Sequence, residues 1–117
     1  MSWRAIVSRD LAELLGVLAH PHRLRIIQEI HSGEKDVNSL EASLGISHSR
    51  VSQHLSLLRS HRLVTERREG RHVHYRLVEP KLAEWLANGF EFLTVDSTHQ
   101  HEVAEALEKA RGIWTAD

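Results

Sequence analysis

The chain has 117 residues, 41% hydrophobic and 26% charged, the balance of one soluble globular domain spanning 1–117. No apolar run approaches the roughly 20 residues of a bilayer span, and Met1-Ser2-Trp3-Arg4 has neither apolar stretch nor small-residue cleavage site, so a cytoplasmic protein with no membrane partner is expected. Zero cysteines exclude disulfides, thiolate metal sites, cysteine nucleophiles and thiol redox sensing, and leave His, Asp and Glu as metal ligands, with ten histidines on offer.

Leu11, Leu14, Leu15 and Leu18 fall at i, i+3, i+4 and i+7 and give a first helix one apolar stripe, with Asp10 and Glu13 as an N-cap pair. Trp3, Ile6 and Val7 extend the stripe upstream, and one long helix or two shorter ones both satisfy it. Pro21 opens a second helix with Leu24, Ile27 and Ile30 inward, ended by Ser32-Gly33. A third, over about 37–44, is capped by Asp36 and stopped by Gly45. After the link Gly45-Ile46-Ser47, a fourth helix capped by Ser47 runs to about residue 60, which is helix-turn-helix spacing. Over residues 63–78 the period becomes two, with Val73, Tyr75 and Leu77 alternating with His72, His74 and Arg76. Glu69-Gly70 as the hairpin loop sets Thr65 opposite His74 and Arg67 opposite His72, so that Thr65, Arg67, His72, His74 and Arg76 share one polar face of a wing. Pro80 opens a fifth helix with a stripe of Leu82, Trp85, Leu86, Phe90 and Leu93, residues 94–98 form a loop, and a sixth helix to about residue 111 turns Val103, Leu107 and Ala110 inward. The expected fold is therefore mostly α with a two-stranded β-wing.

The net charge of −1 conceals a segregation. Residues 48–76 hold seven arginines against two acids, a local charge of +5, while residues 79–117 sum to −5. A basic middle points to a polyanion. On a wheel of the fourth helix Val51, Leu55 and Leu58 form the buried stripe, and Ser49, Gln53, Ser56 and Ser60 lie opposite. Hydroxyls and an amide read base edges, Gln53 above all, since glutamine pairs bidentately with adenine. Guanidiniums hold phosphates: Arg50 and Arg59 flank that face, and Arg67, Arg68 and Arg71 arm the wing. Ser52 joins Ser49, Gln53 and Ser56 in reading bases, His48 belongs to the same surface, His54 sits at the edge of the buried stripe where it packs or touches DNA, and His72 faces phosphates. Protonation of His72 and His74 would strengthen such contacts at lower pH.

The run Leu18-Ala19-His20-Pro21-His22-Arg23-Leu24-Arg25-Ile26-Ile27, with Leu44-Gly45-Ile46-Ser47, Val51-Ser52-Gln53-His54-Leu55, Leu57-Leu58-Arg59, Leu63-Val64, Arg68-Glu69-Gly70-Arg71 and Tyr75-Arg76-Leu77, resembles the ArsR/SmtB family of winged-helix repressors over roughly residues 11–78. The resemblance implies a homodimer on palindromic double-stranded operator DNA, released in many members by an inducer. It implies a winged-helix core at 11–78 and dimer contacts from helices at 1–18 and 80–113, here Trp3, Leu11, Leu82, Trp85, Leu86, Phe90 and Leu93.

The inducer is not named by the sequence. Where thiolate-sensing members carry Cys-x-Cys, this chain has Glu34-Lys35-Asp36-Val37-Asn38-Ser39-Leu40, which argues against arsenic. The family's other site, on the C-terminal helices, pairs Asp-x-His with His-x-x-Glu or His-x-x-His. His99 and Glu102 supply the second half, Asn88-Gly89-Phe90 stands where the first should be, and Asp96 is the nearest further ligand. Such a set suits Zn²⁺, Ni²⁺ or Co²⁺, none of them required for the fold, against the plainer reading of a helix capped by Ser97 or Thr98. Two other readings stay open: a winged-helix protein-interaction module and a constitutive repressor with no inducer site. No HExxH, Gly-rich phosphate loop or Ser-His-Asp arrangement supports an enzyme.

Overall fold

The computed structural model describes residues 2–93 and 100–114, which group into two compact units, Met1–Val78 and Glu79–Asp117. The first opens with a single helix, α1 (Trp3–Leu18), whose N-cap is Ser2, its hydroxyl accepting the Ala5 N–H at 3.2 Å. Asp10 therefore lies inside the helix, paired with Arg9 at 3.4 Å, and the Asp10–Glu13 cap of the sequence reading is not used. A cap is needed only where N–H groups lack a partner one turn back, and Ser2 supplies it earlier in the chain.

α2 (Pro21–His31) begins with the proline at its first position and His20 as N-cap. α3 (Val37–Leu44) is capped by Asp36, whose carboxylate accepts the Ser39 N–H at 2.8 Å, a bond that holds the Asp36 carboxyl below the usual carboxylate range. It stops at Gly45, left-handed at φ 68° and so suited to a residue without Cβ. α4 (His48–Ser60) starts from Ser47, whose hydroxyl accepts the Arg50 N–H. These local rules alone set the helix-turn-helix.

Ile26, Ile27, Ile30, Leu40, Leu55, Leu58, Val51 and Val64 are buried almost completely and make the core of this unit. By transfer arithmetic each such side chain contributes about 1.5–3 kcal/mol, an upper bound because the unfolded chain already hides some surface. β1 (Val64–Glu69) and β2 (His72–Leu77) form an antiparallel hairpin with Thr65 opposite Arg76, Arg67 opposite His74 and Glu69 opposite His72. The expected pairing is corrected by two positions, because the loop is Gly70-Arg71, with Gly70 at φ 61°. A glycine at the first loop position satisfies a two-residue turn as well as one at the second. A shift of two keeps every side chain on its face, so the shared polar face survives and gains Glu69. Backbone bonds between Lys35 and Tyr75, at 2.8 and 3.2 Å, dock the turn before α3 onto the outer edge of β2.

In the second unit α5 (Lys81–Asn88) passes into a short 3-10 turn (Gly89–Phe92), and α6 (Gln100–Trp114) carries Val103, Leu107 and Ala110 as its half-buried positions, as expected. Among the described residues no helix is long and apolar enough to cross a membrane.

Candidate nucleic-acid interface

α4 divides as its sequence demands. Val51, Leu55 and Leu58 are at most 1% exposed, while Ser49, Arg50, Gln53, Ser56 and Ser60 are all exposed on the other side. Ser52 and His54 are half-buried on the flanks. His48, in the first turn, lies with Nδ1 3.2 Å from a Glu41 carboxylate oxygen on α3. An open groove of about 300 Å³ has His48 and Ser52 on one wall and Arg71 and His72 on the other, so four of the expected DNA-contacting residues line one concavity beside the helix.

The arginines separate by partner. Arg67 donates to Glu34 and to Glu69, with closest approaches of 2.8 and 2.9 Å, and both carboxyls are held below their ordinary range by those hydrogen bonds. Its own proton is held even more firmly than usual, first by Glu34 and then by Glu69. Arg59 pairs with Glu66 at 2.7 Å, and Arg68, three-quarters exposed, approaches the same carboxylate only at 3.9 Å. Among the described residues Arg50 and Arg71 pair with no carboxylate. Of the five arginines expected to hold phosphates, Arg50, Arg68 and Arg71 thus keep the most freedom, while Arg67 ties β1 to the turn before α3.

Three histidines from two separate stretches of the sequence come together. His20 and His22 stand at the start of α2, His54 on α4, and their ring centroids are 4.5 to 5.7 Å apart. Desolvation lowers the basicity of His20 and of His54, and the charges of Arg23, Arg50 and the neighbouring imidazoles add to it, so the protonated forms are disfavoured. No sequence signal links positions 22 and 54; only the packing of α2 on α4 does. Of the C-terminal metal candidates, Glu102 is exposed on α6, and Asp96 and His99 lie outside the described residues. Among the described residues His20, His22 and His54 are the one convergent group of three metal-ligating side chains.

The residues expected at a dimer contact are uncovered to different degrees. On α1 Trp3 is 67% and Leu11 44% exposed, with Ile6, Val7 and Leu15 beside them. In the second unit Trp85 and Leu93 are exposed, and Leu82, Leu86 and Phe90 half-buried.

Known proteins share this fold. The family described as "Bacterial regulatory protein, arsR family" matches residues 20–66. A biofilm growth-associated repressor of Agrobacterium fabrum is 43% identical over 74 residues, 63% of each chain, so the match spans just under two thirds of that relative. The HTH-type transcriptional regulator CmtR of Mycobacterium bovis is 40% identical over 103 residues, 88% of this chain and 87% of that one. A solution structure of the homodimeric winged helix-turn-helix DNA-binding domain of a possible ArsR-family regulator from Mycobacterium bovis superposes with a TM-score of 0.63 at 26% identity, over 76% of this chain and 88% of that one.

Proposed function

Because the chain belongs to the ArsR family of winged helix-turn-helix transcriptional regulators, we propose that it acts as a homodimeric repressor that binds a palindromic DNA operator and releases it to an inducer. The observation that carries this reading is the outer face of α4, where Ser49, Gln53 and Ser56 are exposed, uncharged and hydrogen-bonding, with Arg50 beside them and Arg68 and Arg71 on the adjoining wing. Base edges take the first set and phosphates the second. Arg59 and His72 add positive or protonatable groups at the borders of that surface, and His48 and Ser52 meet the backbone from the groove.

A homodimer is supported by the exposed apolar residues of α1 and, separately, by those of the second unit, since exposed apolar patches on a small chain mark interfaces. Two copies related by a twofold axis set two α4 helices about one DNA turn apart. With no cysteine in the chain and ten histidines, the inducer that suits its donors is a borderline divalent cation held through imidazole. Footprinting of the purified protein on the DNA upstream of its own coding sequence tests the reading. A protected site with twofold symmetry is expected, and uniform weak protection along the duplex contradicts it and favours a protein-interaction module.

A further inference from the structure

We propose that His20, His22 and His54 bind one divalent cation of the Zn²⁺, Co²⁺ or Ni²⁺ class, where the start of α2 meets the DNA-reading helix α4. Their donor nitrogens all lie within 4.8 Å of one another. Three imidazoles at the ~2.0–2.1 Å typical of these ions stand about 3.4 Å apart at tetrahedral angles, so modest side-chain rotations close the set. All three residues are half-buried, which keeps the rings accessible to an ion while limiting their freedom. An all-nitrogen set selects borderline transition ions over Mg²⁺ and Ca²⁺, which take oxygen, and three protein ligands leave a coordination position for water.

The backbone holds one of these ligands in advance and places a second beside it. His20 is the α2 N-cap, with Nδ1 accepting the His22 N–H at 3.0 Å, and Pro21 between them fixes the local φ. The third ligand is contested. Arg23 Nη1 lies 3.3 Å from His54 Nδ1, and the same guanidinium donates to the Val17 carbonyl near the end of α1. A dication and a guanidinium repel, so loading the site draws His54 toward α2 and pushes the Arg23 head away from it. The junction of α1, α2 and α4 is thereby rearranged one residue from Gln53. This deepens the proposed function and rests on it only for the consequence, a change in operator affinity; ion binding itself does not depend on that reading.

The test uses the full chain freed of metal by chelator, titrated with Co²⁺ and followed by its d–d absorption and by calorimetry. The site predicts one Co²⁺ per chain, bound about tenfold or more weakly by His22→Gln and no differently by the double variant His99→Gln, Glu102→Gln. His22 is the chosen position because its side chain caps nothing and its backbone N–H remains. His22→Cys should recover binding and add a thiolate-to-cobalt charge-transfer band, which a purely structural histidine could not produce and which keeps the test open if the glutamine variant misfolds. Absence of Co²⁺ binding, equal binding by His22→Gln, or a cysteine variant without the new band overturns the site. Loss of binding in the double variant instead moves it to the C-terminal helices. Operator affinity is then measured with and without Co²⁺. A shift of about fivefold or more that vanishes in His22→Gln supports the regulatory role, and an unchanged affinity overturns that role. Failure of metal-free protein to select any DNA sequence strikes the repressor reading alone.

Discussion

The Arg67 guanidinium grips both oxygens of Glu34, with Nη2 2.8 Å from Oε2 and Nε 3.3 Å from Oε1, and so fastens a strand of the wing to the turn that precedes the helix-turn-helix. Both side chains remain partly exposed, at 47% and 31%. Solvent screening therefore keeps the pair's contribution to stability small despite its two-point geometry. Glu34→Gln should lower the urea midpoint slightly and weaken binding to all duplexes alike, because it loosens the wing without touching a base-reading group. A loss confined to one DNA sequence would assign Glu34 a different role.

The same tether gives the acid limb of stability its sign. The Glu34 and Glu69 carboxyls, ordinarily near 4.5, are held lower by hydrogen bonds to Arg67, with the charge of Arg67 and of His74 acting in the same sense on both and that of Arg76 on Glu34. The unfolded chain therefore takes up these protons first as pH falls. The contribution is present above about pH 4.5 and is lost as pH drops through the lowered folded values. Urea melts between pH 6 and pH 3 should show stability falling over that lower range, less steeply in Glu34→Gln; identical slopes would remove the tether from the account.

Arg62 is the only non-glycine residue at positive φ among those described, at 60°, just past the end of α4. The Leu63 N–H reaches back to the Leu58 carbonyl at 3.0 Å, closing the helix in the manner of a glycine C-cap. Arg62→Gly should raise stability by up to about 1 kcal/mol, the relief of left-handed strain less the extra freedom glycine gains when unfolded. Thermal melts check it, and a destabilised variant would mean that the Arg62 side chain holds something in place.

How far the sequence could be read depended on the range of the forces involved. Asp36, Gly45 and Ser47 act on backbone within four residues, and their three roles were legible, as was the burial of Val51, Leu55 and Leu58, which follows from period alone. Asp10 misled because Ser2 offers an equally local cap earlier. The hairpin register is ambiguous in the sequence because Gly70 fits either loop position, and alternation cannot detect a shift of two. Arg67 looked like any wing arginine, since its partner Glu34 is distant in sequence, and His54 looked peripheral until α2 brought His20 and His22 to it. Asp96 and His99 fall outside the described residues.

Base reading and phosphate holding separate experimentally. Gln53→Ala should cost about 1–3 kcal/mol on the operator and relax preference at one base pair, whereas Arg71→Ala should weaken every duplex and reduce the salt dependence of binding by about one counterion. Competition against single-base operator variants distinguishes them. Parallel losses on specific and random DNA for both variants would overturn the division of roles.

Fluorescence anisotropy of metal-free protein on its own upstream duplex and on a scrambled duplex, across a salt series, asks whether α4 and the wing select a DNA sequence. Affinity at least a thousandfold tighter for the upstream duplex, with a similar salt slope on both, is the expected result for a specific regulator. Equal, weak and strongly salt-dependent binding to the two would contradict it and leave a basic winged helix whose partner is not an operator.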